Sequence, residues 1–364
     1  MNKTKKIAFL CYQDSFNYNK IGGTDAIVRR ISNYLNGDNE IFLIHYDLKD
    51  NVSVEVAKNI TQLYFINFDD ALVFVKENNI SNTICIYLKP IDRLKLFLFR
   101  RKNSHLIFHT LITVFNENTL KRWISFIEPT ITYNGNIYCL SSRISNTMKL
   151  ISKKSLLLLP PVDDSFFHIK DADVKQRKKI RISYMGRLDY GKGADLAFEF
   201  FSNSNLDTEN YEFYMYAYPW QKDSFSMELH NKLINQNKIE YIETKLFVNP
   251  NDVNVFLKQV IDDTDLFYLP YRYMRSTIDA PLVPMEIMSR NKPFITTNID
   301  GIKELAYHTD ALLNINELSQ FELIEKRIKL VLSKNYKIDD FVCRLKYKTS
   351  NIAGLLLKSI FKNE

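Results

Sequence analysis

The chain has 364 residues, of which 46% are hydrophobic and 25% are charged. This ordinary globular composition excludes intrinsic disorder and suffices for two α/β domains. No apolar run approaches the roughly 18–20 residues of a membrane-spanning helix, and the four cysteines are scattered without a CxxC pair, which favours buried thiols in a reducing cytoplasm. The formal net charge of +7 is uneven, because residues 1–160 carry 21 Lys and Arg against 13 Asp and Glu, whereas the remainder carries 28 against 29.

Strands and helices alternate through the first half of the chain. The apolar run Lys6–Tyr12 predicts a first strand, and a helix is expected over Thr24–Leu35. Gly22 and Gly23 precede that helix, where backbone N–H groups can meet a phosphate. Further elements are a helix over Asp70–Asn78 and strands at Glu40–Tyr46, Thr61–Ile66, Thr83–Leu88, His105–Leu111 and Asn136–Leu140. This alternation is typical of a doubly wound parallel sheet.

Two segments of this half are both basic and apolar. Pro90–Lys102 and Leu120–Ile127 mix Leu, Ile, Phe and Trp with Arg and Lys. Such segments can lie on an anionic membrane surface, but the pattern equally suits ordinary helices that pack on the sheet and extend their charged ends into solvent. The basic first half predicts an anionic partner, for which the candidates are a phosphorylated acceptor, an anionic membrane surface or nucleic acid.

The two prolines Pro160 and Pro161 and a polar run after them predict a domain linker. The alternation then resumes, with strands expected at Ile180–Met185, Glu212–Tyr216, Ile239–Ile242, Asp265–Leu269 and Pro293–Thr297. Helices are expected at Ala194–Phe201, Ser224–Asn235, Asp252–Val260, Val283–Ser289 and Gly301–Ala306, and a closing amphipathic helix at Ser350–Lys362. The chain therefore reads as two successive α/β domains.

The stretch Arg181–Gly193, RISYMGRLDYGKG, combines a strand, a glycine-rich loop and a helix start. The chain has 9 glycines, and three of them, Gly186, Gly191 and Gly193, fall within eight positions. That clustering predicts a close approach of backbone to a ligand, and Arg187 and Lys192 supply charges that suit phosphate oxygens. An ordinary turn with two solvated basic residues is the alternative.

The stretch Asp279–Met288 runs from a polar loop into a helix that carries Glu286. A carboxylate one turn inside a helix can accept hydrogen bonds from two neighbouring ribose hydroxyls, and the N–H groups before it can meet phosphate. A solvated or salt-bridged helix residue is the alternative for Glu286 alone.

Taken together, these motifs resemble the retaining glycosyltransferases of family 4, which have the GT-B fold. The similarity follows the order of the family's motifs along nearly the whole chain. The matching segments are Gly22–Gly23, Phe108–His109, Ile137–Ser145, Pro160–Phe167, Gly186–Gly193, Asp265–Arg272 and Ala280–Leu305. The resemblance implies two Rossmann-like, doubly wound parallel-sheet domains that face a central cleft. The expected boundaries are 1–162 for an acceptor-binding domain, 163–345 for a nucleotide-sugar-binding domain, and 346–364 for a helix that packs back on the first.

The resemblance also implies roles for individual residues. Arg187 and Lys192 would hold the diphosphate of a nucleotide-sugar and stabilise the charge that develops as the sugar leaves, while Gly186 forms part of the same loop. Gly23 would approach the diphosphate from the opposite side, and Gly22 precedes it. His109 would lie near the transferred sugar, although a structural histidine at a strand end is the alternative.

The final motif implies further donor contacts. Glu286 would bind the ribose, and backbone N–H groups near Leu282 and Val283 would complement the β-phosphate. The family usually has a second glutamate eight positions before Glu286, where this chain has Ile278 and then Asp279. Asp279 would replace it if the loop were one residue shorter. No metal or other cofactor is expected, because no DxD-type pair lies in a plausible site, and Asp171 and Asp173 lie in the linker.

The sequence thus predicts a metal-independent hexosyltransferase that moves a sugar from a nucleoside diphosphate to a glycan or lipid-linked glycan, in bacterial surface polysaccharide synthesis. It would be cytoplasmic, with a peripheral contact on the inner membrane surface and no nucleic-acid partner, since no recognition module is visible. The alternatives are a GT-B nucleotide-sugar epimerase or phosphorylase, and a non-catalytic nucleotide-sugar-binding subunit. A nicotinamide dehydrogenase is disfavoured, because no GxGxxG follows the first strand.

Overall fold

The structure is a computed structural model that describes residues 4–13, 18, 23–116, 118–168, 178–220, 222–244, 250–273, 280–306, 309–334 and 345–361. The chain divides into two compact units. The first unit comprises Met1–Pro161 and Lys346–Glu364, and the second comprises Val162–Leu345. Both units contain a largely parallel sheet with helices between successive strands, as the alternating sequence pattern predicts.

The first unit is built on an eight-stranded sheet of order β3-β4-β2-β1-β5-β6-β7-β8. Its strands are β1 (Lys5–Tyr12), β2 (Asn39–Tyr46), β3 (Val52–Ala57), β4 (Ile60–Phe65), β5 (Asn82–Ile86), β6 (Ile107–Ile112), β7 (Ile137–Cys139) and β8 (Ser155–Leu157). Its helices up to Pro161 are α1 (Gly23–Leu35), α2 (Phe68–Glu77), α3 (Pro90–Lys102), α4 (Thr119–Thr132) and α5 (Ser142–Lys149).

One edge of this sheet differs from the predicted all-parallel arrangement. β3 pairs with β4 in the antiparallel direction, and the two are joined by a tight turn at which Asn59 has a φ of 59°. Residues Val52–Glu55 are exposed, so this edge strand lacks the apolar run by which the central strands are recognised in the sequence.

The core of the first unit lies on both sides of β1 and β5. Leu10, Ile44, Leu72, Cys85 and Phe108 belong to one buried cluster. The central strands are continuous apolar runs because helices cover both faces of a doubly wound sheet.

The last helix of the chain belongs to the first unit. This helix, α11 (Thr349–Ile360), packs against α1. The carbonyl oxygen of Ser359 accepts a hydrogen bond of 3.0 Å from the Asn136 side chain, and the Ser359 and Tyr138 hydroxyls are 2.8 Å apart. The Lys5 ammonium also lies 3.7 Å from the centre of the Phe361 ring. The chain thus ends packed on the unit in which it begins.

The second unit is built on a six-stranded sheet of order β11-β10-β9-β12-β13-β14. Its strands are β9 (Ile180–Arg187), β10 (Tyr211–Tyr218), β11 (Ile239–Glu243), β12 (Leu266–Leu269), β13 (Phe294–Thr297) and β14 (Leu312–Leu313), and every pair is parallel. Its described helices are α6 (Ala194–Asn203), α7 (Ser224–Ile234), α8 (Pro250–Asp262), α9 (Leu282–Ser289) and α10 (Phe321–Ser333).

Two predictions for the second unit need correction. The helix expected over Gly301–Ala306 is only a 3₁₀ turn at Lys303–Leu305, and α10 was not expected at all. α10 buries Ile324, Ile328 and Val331 in the core.

Among the residues that the structure describes, no helix is long and apolar enough to cross a bilayer.

Candidate active site

The glycine-rich loop follows β9 at the point where the strand order of the second unit reverses. From β9 the chain builds β10 and β11 on one side and then returns to place β12 on the other. In open α/β sheets, the crevice beyond the carboxyl ends of the strands at such a switch point is the usual place for a ligand. The loops after β9 and after β12 flank this crevice, so the topology itself points to residues 187–193 and to the N-terminus of α9.

Two glycines of the loop have conformations that a side chain would not tolerate. Gly193 is the N-cap of α6 with a φ of +68°, and a Cβ there would lie 1.9 Å from the Pro270 carbonyl oxygen. Gly186 has a φ of +156°, and a Cβ there would lie 3.3 Å from the Tyr184 hydroxyl and 3.8 Å from Lys192 Cδ. Gly186 therefore has a backbone conformation that residues with side chains rarely adopt, and Gly193 lets the two crevice loops meet.

Internal hydrogen bonds hold the loop in a fixed turn. The Lys192 N–H donates to the Asp189 carbonyl oxygen at 3.1 Å and to the Asp189 carboxylate at 3.2 Å. The Tyr184 hydroxyl donates to the Arg187 carbonyl oxygen at 2.8 Å. Since the backbone is held from within, the basic side chains project from a rigid support.

The loop after β12 clamps the glycine-rich loop from the other side. The Arg272 guanidinium donates two hydrogen bonds of 2.6 and 2.7 Å to the Asp195 carboxylate and one of 2.9 Å to the Tyr190 carbonyl oxygen. It also stacks 3.9 Å from the centre of the Tyr190 ring, and its backbone N–H donates to the Gly191 carbonyl oxygen at 2.8 Å. Sequence reasoning did not single out Arg272, although it lies in the quoted motif Asp265–Arg272.

Arg187 and Lys192 place two positive charges at the mouth of the crevice. Burial and, to a smaller extent, the nearby Arg187 guanidinium lower the pKa of Lys192 to about 8, while Asp189 opposes the shift. The Arg187 guanidinium lies 3.7 Å from the Asp189 carboxylate. Within the residues that the structure describes, the Lys192 ammonium donates no hydrogen bond. This pair of cations is suited to bind a polyanion.

Glu286 lies in α9 on the β12 side of the crevice, and it is 3% exposed. The electrostatic surroundings of Tyr271 relate Glu286 to the other side of the crevice. Burial raises the pKa of the Tyr271 hydroxyl, Asp189 and Glu286 raise it further, and Arg187 lowers it. The hydroxyl is therefore within electrostatic range of all three groups, so the structure brings Glu286 towards the glycine-rich loop. The sequence analysis also missed Tyr271, because a buried tyrosine is usual in any core.

The first turn of α9 contains Leu282 and Val283, the residues whose N–H groups the resemblance assigns to the β-phosphate. Pro281 is the N-cap and makes no side-chain hydrogen bond to the helix. The first turn of a helix leaves N–H groups without intrahelical partners, and the positive end of the helix dipole lies there. Asp279, the predicted replacement for the missing glutamate, lies outside the described residues.

The predicted site residues of the first unit fare differently. Gly23 is the exposed first residue of α1, so a helix N-terminus lies where the sequence placed one, and Gly22 lies outside the described residues. His109 lies inside β6 and not at its end, because the strand continues to Ile112.

His109 is a buried histidine whose two ring nitrogens are both engaged. It is 2% exposed. Its Nδ1 accepts a hydrogen bond of 2.9 Å from the Asn136 N–H, and its Nε2 lies 3.2 Å from Asn82 Oδ1. Burial lowers the pKa of His109 to about 4. The ring is therefore a neutral part of the sheet packing, and no ring nitrogen remains for a sugar hydroxyl. These contacts favour the structural alternative for His109 over the sugar contact.

A different group of side chains lies at the carboxyl end of β5 and β6. Tyr87 follows β5 with a φ of +56° and is 41% exposed. Its hydroxyl lies 2.6 Å from Thr113 Oγ1 and 3.2 Å from Thr24 Oγ1. A bulky residue in the left-handed region is an outlier of the kind found at ligand sites.

Within the described residues, no group of three or more His, Cys, Asp or Glu side chains is arranged to hold a metal ion.

The fold, together with a family match over most of the second unit, is that of a GT-B glycosyltransferase. Residues 166–343 match the family model "Glycosyl transferases group 1", which confirms the predicted resemblance over this part of the chain. No curated protein sequence matches the chain.

Solved structures agree on the fold over nearly the whole chain. Sucrose-phosphate synthase from Thermosynechococcus elongatus superposes with a TM-score of 0.70 at 11% identity, over 99% of this chain and 100% of that one. A glycosyltransferase from Rickettsia africae ESF-5 gives 0.68 at 15% identity, over 99% and 100%. Anabaena Alr3699/HepE, solved in complex with UDP, gives 0.69 at 11% identity, over 98% and 100%. The predicted GT-B fold is therefore confirmed.

Proposed function

We propose that this chain is a retaining glycosyltransferase that moves a hexose from a nucleoside diphosphate to a glycan or lipid-linked glycan acceptor. The observation that carries the proposal is the Arg187–Lys192 pair, which projects from a rigid loop at the switch point of the second unit. UDP is present in the similar structure of Alr3699/HepE, and a nucleoside diphosphate has the charge and length that two adjacent cations require.

The donor would lie along the carboxyl edge of the second sheet. Arg187 and Lys192 bind the diphosphate, and the N–H groups of Leu282 and Val283 contact the β-phosphate from the α9 side. Glu286 accepts hydrogen bonds from the ribose hydroxyls. A buried carboxylate is suited to that role because a hydroxyl pair compensates its desolvation without adding charge.

The reaction places its largest charge change at the cation pair. The bond between the sugar's anomeric carbon and the β-phosphate oxygen breaks, and the acceptor hydroxyl oxygen forms a bond to that carbon on the same face. The acceptor's proton passes to the departing phosphate oxygen, so no protein carboxylate is needed as a base. Arg187 and Lys192 stabilise the negative charge that grows on the leaving diphosphate, and the removal of one such group typically costs 10²–10³ in kcat.

The same arrangement supports a metal-independent reaction, since two fixed cations can perform the charge neutralisation that a divalent metal performs elsewhere. The basic first unit supports an anionic acceptor, such as a lipid-linked or phosphorylated glycan of bacterial surface polysaccharide synthesis, handled on the cytoplasmic side of the membrane. Thr24, Tyr87 and Thr113 provide hydroxyl groups at the carboxyl edge of the first sheet, where an acceptor sugar would find hydrogen-bond partners.

The decisive experiment compares Lys192→Ala and Arg187→Ala with Lys232→Ala, which removes an exposed lysine paired to Glu228 on α7. Donor binding is measured by thermal shift against UDP-, GDP- and dTDP-sugars, and sugar release is measured with and without acceptor. We expect the first two variants to stay folded and lose transfer, and Lys232→Ala to behave as wild type. Near-normal turnover in both site variants contradicts the assignment, and donor binding without any sugar release identifies a non-catalytic binder instead.

A further inference from the structure

Helix α4 presents an apolar face to solvent. Its buried residues are only Phe126, Pro129 and Thr132. On the opposite side, at helical spacing, Leu120 is 71% exposed, Ile124 59% and Ile131 56%. Trp123 and Ile127 are exposed beside them. An ordinary surface helix has the reverse polarity, with its apolar face inward, and no described residue of the chain covers this face.

Helix α3 extends the same surface. Ile91, Leu94 and Leu98 are each more than half exposed. Leu94 and Phe97 of α3 line one shallow groove together with Ile124 and Ile131 of α4. We define this contiguous surface of exposed α3 and α4 residues as the α3–α4 face. Contiguous apolar surfaces of this kind mark interaction sites on soluble proteins.

The charge around the α3–α4 face is strongly positive. The two helices carry seven Lys and Arg against two acidic residues. Both acids are already engaged, because Asp92 accepts from the Tyr46 hydroxyl and Glu128 pairs with Arg93 at 2.8 Å. Within the described chain, Arg101, Lys102 and Lys121 form no ion pair and are exposed.

We propose that the α3–α4 face docks on the surface of an anionic lipid bilayer. Apolar side chains and a tryptophan would enter the acyl boundary while the flanking cations contact anionic headgroups. The helices have 13 and 14 residues, and the longer is only about 21 Å long, too short to span the roughly 30 Å hydrocarbon core. The contact is therefore peripheral and lies in the plane of the interface.

Charge decides between a bilayer and a second copy of the chain as the occupant. A twofold dimer through this face would bring the same surface against itself. The unpaired cations of both copies would then meet at the edge of an apolar interface, where like charges cost several kcal/mol. An anionic bilayer compensates the same charges. This surface is independent of the proposed transfer reaction, so the two proposals can fail separately.

The first test measures co-sedimentation of the full chain with vesicles of phosphatidylcholine alone and with vesicles that also contain phosphatidylglycerol. We expect binding only to the anionic vesicles, weakened by salt. The triple variant Arg101→Ser, Lys102→Ser, Lys121→Ser should bind about fivefold more weakly for each charge removed. The matched variant Lys49→Ser, Lys58→Ser, Lys76→Ser removes three exposed lysines of the same unit and should bind as wild type. Equal loss in both triple variants overturns the proposal.

The second test locates the contact. The chain has two tryptophans, Trp123 and Trp220, so Trp220→Phe leaves the α3–α4 face as the sole source of tryptophan emission. Vesicles with brominated acyl chains should quench that variant, whereas Trp123→Phe should show no quenching. Ile124→Asn should weaken binding more than tenfold, and the control Leu355→Asn, at an exposed leucine of α11, should not. Vesicle binding without quenching of Trp123 overturns the proposal. A second contrary result is a dimer, seen by sedimentation, that Ile124→Asn dissociates, while vesicles bind neither the wild type nor this variant.

Discussion

The backbone of Gly193 lies directly against the carbonyl oxygen of Pro270, so that a Cβ at Gly193 would be 1.9 Å from that oxygen. This contact joins the loop after β9 to the loop after β12, and it fixes the width of the crevice between them. No rotation of a side chain can relieve the overlap, because both partners are backbone.

We therefore expect Gly193→Ala to lose nucleoside diphosphate binding and to unfold more easily, by at least ~1 kcal/mol from the left-handed φ alone. Isothermal titration with UDP and thermal unfolding measure the two effects. Gly354→Ala is the matched control, since Gly354 lies in α11 with nothing within 4 Å of its Cβ position. That variant should be stabilised by about 0.5–1 kcal/mol. Tight UDP binding by Gly193→Ala would show that the loop contact does not shape the site.

The lowered pKa of Lys192 makes donor binding depend on pH. Its value of about 8 in the folded protein, against 10.5 ordinarily, means that the ammonium is charged at pH 7 and largely neutral at pH 9. A bound diphosphate favours the charged form, so binding above pH 8 takes up a proton and the affinity should fall as the pH rises from 7 to 9. Titrations in buffers of different ionisation enthalpy measure the proton uptake.

Lys192→Arg separates this effect from other ionisations, because a guanidinium stays charged throughout the range. Its affinity for UDP should change far less between pH 7 and 9 than that of the wild type. The unliganded protein gives the opposite sign: the unfolded chain holds more protons between pH 8 and 10.5, so this lysine's contribution to stability rises with pH in that window. Identical pH profiles for wild type and Lys192→Arg would contradict the assignment of the titrating group.

His109 should contribute to stability and not to catalysis. Its pKa of about 4 is below the ordinary 6.5, so the unfolded chain binds more protons between these values. The stabilising contribution is present above pH 6.5 and is lost as the pH falls from 6.5 towards 4. We expect His109→Ala to lower the free energy of unfolding by about 2–4 kcal/mol, since it leaves a cavity and two unpaired buried groups.

The kinetic measurement on this variant is the informative one. At a temperature where His109→Ala remains folded, the kcat and KM for the donor should stay within about threefold of wild type, well short of the loss typical of a catalytic group. Acid unfolding between pH 4 and 7 should also be less steep than in wild type. A loss of kcat beyond 10² with an intact fold would restore the sugar contact that the family resemblance implied.

Arg272 is a positioning residue whose role depends on its forked geometry. It binds both oxygens of Asp195 and stacks on Tyr190, and a lysine reproduces neither interaction. Arg272→Lys should therefore raise the donor KM about tenfold, with a smaller change in kcat, because the loop that presents Arg187 and Lys192 loosens. Arg181→Lys, at the opposite end of β9 where Arg181 pairs with Glu212, should leave the donor KM unchanged. Equal changes in both variants would point to general destabilisation.

The sequence by itself determined the elements whose signals are local. The loop Gly186–Gly193 was recognisable because its glycines, its two cations and the apolar strand before it are adjacent in the chain. The central strands were recognisable because burial on both faces makes them continuous apolar runs. The sequence analysis missed β3 and α10. An exposed edge strand lacks a continuous apolar run, and so does a helix with one polar face.

Only the tertiary structure decided what the individual side chains do. His109, Tyr271 and Glu286 are all buried, yet the first is held by Asn136 and Asn82 within the sheet, while the other two lie at the edge where the strand order reverses. The outward apolar face of α4 is equally invisible in a sequence that fits either a packed or an exposed helix. The physical reason is that burial and electrostatic environment are set by residues distant in the chain, whereas backbone conformation is set largely by neighbours.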